Sequence, residues 1–246
     1  MVPFSAMTAL PPLPRAEIEE LMDGPQPRAL MDGCLRELAV LNRLLGVRGL
    51  VLRSLRRFVR PGDRALTIVE VASGGADLLR SFVLWGRRRG LRLHAVAIDR
   101  HPQAGAIARE WSAGIPEIAV LRGDARALPL ADRSVDVALL ATALHHLSPA
   151  GAVAALQELD RISRRGFVVT DLVRSRAAYL GAKLLARVLL RNPLTRVDGP
   201  RSVLRAYTAD EVRALAADAG LQGARLTRHP LFRLALVKEA TGATAG

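Results

Sequence analysis

Between Ala65 and Leu172 short apolar runs alternate with segments of helical period, and this alternation constrains the fold more than any other feature of the 246-residue chain. The runs ALTIVEV, LRLHAVAID, IAVLRGD, SVDVALLAT and GFVVTDL are interleaved with ADLLRSFVLWGRRRG, HPQAGAIAREWSA and SPAGAVAALQELDRIS. Near-continuous apolar runs belong to strands buried on both faces, and strands that alternate with helices build a mostly parallel sheet with helices on both sides. Two last runs, GARLTRHP and FRLALVKE, meet at a turn around Pro230, so the expectation is an α/β fold of about seven strands closing in an antiparallel hairpin.

The flanks divide the chain further. Residues 28–64 read as a helical cap, because Leu35, Leu38, Leu41 and Leu45, then Val51, Leu55 and Phe58, recur at helical spacing, with Gly46 and Gly49 expected to split the segment. Residues 1–27 are rich in proline and lack the basic start of a signal peptide, and are expected to form a flexible leader and the start of the first helix. The main domain spans 65–246, with a helical insertion at 172–206 that fits a lid over the ligand pocket. In it, Leu180, Leu184, Leu185, Val188 and Leu189 form an apolar face and Arg176, Lys183, Arg187 and Arg191 a basic one, before a loop PLTRVDGPRSVLRAY. Thr208 and Glu211 then stand at capping-box spacing, with Gly220 as the helix stop.

A net charge of +13 invites a nucleic-acid partner, since basic proteins gain affinity for polyphosphate by counterion release. Composition argues against it: Lys183 and Lys238 are the only lysines, and aromatics, at 4%, show no interleaving with basic residues for stacking on bases. The basic insertion suits peripheral contact with an anionic membrane surface instead. The single cysteine, Cys34, rules out an intrachain disulfide framework and suits a cytoplasmic location. No His, Cys or carboxylate cluster has metal-ligand spacing, so no metal is expected.

In a sheet of this type the ligand sits at the carboxyl ends of the strands, near the point where strand order reverses. The first strand runs into Ala72, Ser73, Gly74 and Gly75, a turn whose two glycines let the backbone pass close beneath a ligand, with Asp77 placed to cap the next helix. Asp99 ends the second strand, where a carboxylate accepts hydrogen bonds from both hydroxyls of a ribose. Asp124 ends the third, in reach of an adenine amino group, with Ala125 lining the ring. His145 and His146 follow the fourth strand, and an imidazole, which titrates near neutral pH, can take a phenolic proton. Asp171 ends the fifth, where it either orients an acceptor or caps a helix. His94, His101 and His229 are expected to be structural.

From about Leu66 to Glu239 these motifs resemble the class I S-adenosylmethionine-dependent methyltransferases. VEVASGGADLL corresponds to the first family motif, AIDRHP to the second and GDARALPLADRSVDVALLATALHHL to the third and fourth. The chain is most similar to the ubiquinone and menaquinone methyltransferase branch, and its helical additions resemble methyltransferases associated with type III polyketide synthases. The resemblance implies a Rossmann-like fold, S-adenosyl-L-methionine as cofactor, and cofactor contacts at Glu70, Ala72, Ser73, Gly74, Gly75, Asp99, Arg100, Asp124, Ala125 and Ala141. It implies His145, His146 and Asp171 as catalytic residues and a small hydrophobic acceptor, with O-methylation of a phenolic, quinone-like or polyketide compound as the leading expectation. Ring C-methylation, or a non-catalytic scaffold of the same fold, are the alternatives. ATALHHL stands where base-amino methyltransferases carry Asn or Asp, two prolines and an aromatic, which argues against a nucleic-acid substrate. The family usually has three glycines across the first turn, where this chain has Ala72, Gly74 and Ala76. Ala72 is expected to be a mild departure and Ala76 the weaker point, since a Cβ at positive φ costs roughly 1 kcal/mol.

Overall fold

The computed structural model describes residues 13–240, so the expected leader before Leu13 lies outside the described residues. Seven strands form one sheet: β1 (Ala65–Val71), β2 (Arg92–Asp99), β3 (Ile118–Arg122), β4 (Val135–Ala141), β5 (Ser163–Leu172), β6 (Arg225–His229) and β7 (Arg233–Glu239). Their order is β3-β2-β1-β4-β5-β7-β6. The first five are parallel and β7 is antiparallel to both β5 and β6. Chain order reverses between β1 and β4, which opens a crevice at their carboxyl ends.

Eight α-helices flank the sheet among the described residues: α1 (Arg28–Leu44), α2 (Val47–Leu55), α3 (Asp77–Arg87), α4 (Pro102–Trp111), α5 (Pro149–Ile162), α6 (Arg176–Val188), α7 (Pro193–Arg205) and α8 (Ala209–Asp218). The sheet is buried on both sides. Val69, Val71, Leu140, Phe167 and Val169 pack against α5 and α8, while Ile68, Val137, Leu139 and Val168 pack with α2 and α3. The helix starts follow their caps. Ser148 accepts from Gly151 N with Pro149 at the first helical position, Ser175 accepts from Ala178 N, and Thr208 and Glu211 complete the capping box. Gly46, at φ 75°, separates α1 from α2, whereas Gly49 continues inside α2.

Four expectations are corrected by the structure. From Leu13 onward the leader is fixed in place. Ala16 N donates to Leu204 O, Leu21 N and Met22 N donate to the Asp198 carboxylate, and Arg15 donates to the carbonyls of His145, Leu147 and Arg205. The loop expected after Asn192 is the helix α7, despite Pro200 inside it. The Asn192 side chain caps its start, Pro193 presets its first turn, and Leu194, Asp198 and Val203 are buried on its inner side. Asp77 is not the cap of α3: that position is Ala76, and the Asp77 carboxylate accepts instead from Asn42 Nδ2 at 3.3 and 3.4 Å. Finally, α6 turns its small residues Ala178, Gly181 and Ala182, with Leu185, toward the crevice, while Leu180, Leu184, Val188 and Leu189 face solvent.

Candidate active site

A cavity of about 440 Å³ fills the crevice at the strand ends and continues beneath α1, α6 and α7. Every one of the ten expected cofactor positions lines it, as do His145 and His146.

At one end lies the turn after β1. Ala72, Gly74 and Ala76 have φ of 53°, 51° and 55°, so all three positions where the family usually has glycine are left-handed. Ala72 is therefore as strained as Ala76, contrary to the sequence expectation. The turn is held by Gly74 N, which donates to Asp99 Oδ2 at 2.8 Å, and by Ser73 N, which donates to Ile98 O. A Cβ on Gly75 would come within 2.4 Å of the Trp111 ring, so that glycine serves the approach of α4. Asp99 also accepts from His101 N at 2.8 Å, which orients the carboxylate and leaves lone pairs on both oxygens for ribose hydroxyls. Asp124 accepts from Arg126 N, Nε and Nη2. Those bonds hold its pKa down to about 2. Glu70 and Ser73 are buried, and Glu70 Oε2 and Ser73 Oγ have no hydrogen-bond partner. Burial, with Asp77 nearby, pushes the Glu70 carboxyl well up. An ammonium group meeting it would supply the missing partner.

At the other end, His145 sits at the turn after β4. Its Nδ1 lies 2.8 Å from Asp171 Oδ1, and its backbone N donates to Asp171 Oδ2 at 2.8 Å. Asp171 is fully buried, and burial alone would raise its pKa. The adjacent His145 ring and the hydrogen bonds from His145 and Leu172 outweigh that and hold it below the usual carboxylate range. An ionised Asp171 only accepts, so Nδ1 carries the proton and Nε2 is the basic atom. Asp171 does not line the cavity and does not cap α6, whose cap is Ser175; its link to the cavity is the bond to His145.

The structure adds residues that sequence reasoning missed. Glu20, 3% exposed, places Oε1 at 3.6 Å from His145 Nε2 and Oε2 at 3.7 Å from His146 Nε2. Burial pushes its carboxyl up to about 6, against the opposing pull of His146, Ser202 and Arg205. Asp23 bonds His146 Nδ1 at 3.1 Å. Arg205 donates to Asp23 and to the carbonyls of His145 and His146, with Nη1 3.8 Å from Glu20 Oε1. Glu20, His145 and His146 bring one possible ligand atom each within 4.8 Å of one another, a spacing that suits a cation. The local pattern that argued against a metal does not register this group, because Glu20 lies 125 residues before His145. Arg205 supplies fixed positive charge at the same place. Arg233, at the start of β7, also lines the cavity. One signal was available for it: an arginine opening the apolar run RLALV of a strand covered on both faces.

The switch-point crevice, the Gly-containing turn and the acidic strand tips have the arrangement by which Rossmann-like folds take a nucleoside cofactor. Residues 68–166 match the family model described as a methyltransferase domain. The segment that matches carries the first four strands and their tips, and S-adenosylmethionine is the cofactor that such a domain implies. Among solved structures, a SAM-dependent methyltransferase from Aquifex aeolicus is similar over 85% of this chain and 97% of its own, at 19% identity and a TM-score of 0.60. A protein described as an O-methyltransferase from Nostoc punctiforme is similar over 92% and 64%, at 14% identity and a TM-score of 0.61. The DszA carbon methyltransferase is similar over 81% and 55%, at 14% identity and a TM-score of 0.58. At such identities the likeness carries the fold and not the acceptor. A comparison with curated proteins finds no match.

Proposed function

We propose that the protein methylates the hydroxyl oxygen of a small hydrophobic acceptor, of phenolic, quinone-like or polyketide type. The observation that carries this reading is the His145–Asp171 pair, set in the wall of a largely apolar cavity continuous with the cofactor turn. S-adenosylmethionine, when bound, supplies a methyl group already activated on a sulfonium. The chain's part is to align the acceptor, exclude water and remove a proton. Gly74 and the turn around it would pass beneath the cofactor, Asp99 and Asp124 would meet its ribose and adenine, and Glu70 Oε2 would meet its ammonium. Met31, Leu35, Leu38 and Leu185 give the cavity apolar walls, with Leu35 close to Gly74 of the turn. His145 Nε2 would take the hydroxyl proton as the acceptor oxygen bonds the methyl carbon and the C–S bond breaks to release a neutral thioether, and Asp171 would stabilise the resulting imidazolium. Glu20, next to Nε2 with a raised pKa, is placed to receive that proton and pass it outward past His146.

The test is methyl transfer from carbon-13-labelled cofactor to a panel of phenols, quinols and polyketide aromatics. The chemical shift of the transferred carbon distinguishes an O-methyl from a C-methyl product. A C-methyl product, or no transfer by a protein that binds S-adenosylhomocysteine, would overturn the proposal.

A further inference from the structure

Arg233 is 7% exposed, and among the described residues it forms no ion pair with a carboxylate. Its Nε is buried without a hydrogen-bond partner, and among the described residues its side chain makes one hydrogen bond, Nη1 to Thr142 Oγ1 at a long 3.5 Å. The acid whose charge acts on it, Asp171, accepts its hydrogen bonds from His145 N, His145 Nδ1 and Leu172 N instead. Removing a guanidinium from water without an anion is costly, and native proteins place such groups against a carboxylate or phosphate. Burial pulls the Arg233 pKa down and outweighs the opposing pull of the Asp171 charge.

The surroundings point to what is missing. Arg233 lines the same cavity as His145 and sits on β7 opposite Leu172, one residue beyond Asp171. The residues before it, Leu231 and Phe232, form the β6–β7 turn with φ of 58° and 54°. Such turns normally take Asn-Gly, because bulky side chains are strained at positive φ. Here both strained residues are large and apolar, and both line the cavity mouth. Thr142, the contact of Arg233, is a β-branched residue at φ 54°. Strain at three positions thus surrounds one buried cation and one apolar wall.

We propose that Arg233 is an anion subsite of the acceptor pocket, and that the acceptor is an aromatic carboxylic acid whose ring lies against Leu231 and Phe232. This rests on the methyltransferase reading and names the acceptor class within it. A carboxylate fits better than a phosphate, because Arg233 is a single cation and a planar carboxylate matches the fork of a guanidinium.

The experiment measures binding rather than turnover. Hydroxybenzoates of increasing size, and the matching hydroxybenzamides, are titrated by calorimetry into native protein saturated with S-adenosylhomocysteine. The same titrations are made with Arg233→Met and Arg233→Lys, with thermal unfolding as the check on folding. At least one carboxylate is expected to bind tenfold or more tightly than its amide to native protein. Arg233→Met is expected to abolish that preference and Arg233→Lys to restore part of it, with S-adenosylhomocysteine affinity kept within about twofold in both. The proposal is overturned if no carboxylate is preferred over its amide, or if the preference survives in Arg233→Met. It is also overturned if Arg233→Met weakens S-adenosylhomocysteine tenfold, since the guanidinium would then serve the cofactor's own carboxylate. Failure of native protein to bind S-adenosylhomocysteine would bring down the methyltransferase reading itself, a result distinct from the other three.

Discussion

Replacing Ala72 and Ala76 separately by glycine tests what the cofactor turn costs the fold. Both residues are left-handed, at φ 53° and 55°, and an L-residue there is strained by roughly 1–2 kcal/mol relative to its usual conformations. Glycine removes that strain but gives up about 0.5–1 kcal/mol through its freer unfolded state, a net gain of about 1 kcal/mol. The two sites differ in burial. Ala72 is exposed, whereas Ala76 is fully buried among Leu78, Leu79 and Phe82. Deleting the Ala76 methyl therefore costs about 0.8 kcal/mol of lost burial, which cancels the gain. Ala72→Gly is expected to raise Tm by about 2–4 °C and Ala76→Gly to leave it nearly unchanged. The turn is already held by Gly74 N on Asp99 and Ser73 N on Ile98 O, so the strain is borne on folding rather than on cofactor binding. S-adenosylhomocysteine affinity, by calorimetry, should thus stay within about twofold of native in both variants. Equal Tm shifts at the two sites would refute the burial argument, and a tenfold gain in affinity from either variant would refute the claim of a preformed turn.

Asp171→Asn should lower kcat by about a hundredfold or more with S-adenosylhomocysteine binding retained, because an amide cannot accept from His145 N and Leu172 N, which orient the side chain, and also from His145 Nδ1, the bond that fixes the tautomer. Glu20 is an acid whose folded pKa is raised from 4.5 to about 6, so its contribution to stability is full below pH 4.5 and is lost as pH rises through 6. Urea unfolding across that window should show native protein losing up to about 2 kcal/mol relative to Glu20→Gln, and parallel pH profiles would contradict the assignment. On α6, Leu180, Leu184, Val188 and Leu189 are exposed beside Lys183 and Arg187. A Leu180→Ser, Leu184→Ser double variant should leave Tm within about 1 °C. It should reduce sedimentation with phosphatidylserine vesicles if this face meets lipid, and undiminished sedimentation would rule the face out.

The sheet was legible because its signals are local. Period and turn chemistry placed all seven strands, and the three strand tips with their Gly-containing turn pointed, from residues close in sequence, to positions that line one cavity. The capping box at Thr208 and Glu211 could be read for the same reason. Helix α7 could not, because Gly199 and Pro200 oppose a helix locally and only the burial of Leu194, Asp198 and Val203 against the rest of the fold outweighs them. The orientation of α6 likewise depends on which side faces the crevice, and its small residues, not its leucines, turn inward. The acceptor end was least visible. His145 and Asp171 stood out at strand ends, but their pairing, and the approach of Glu20, Arg205 and Arg233, come from segments far apart in the chain. The sequence by itself determined the sheet and the cofactor turn, since periodicity and backbone geometry are properties of neighbours. Only the tertiary structure decided how charge is arranged around the acceptor, because burial and pairing depend on segments brought together by folding.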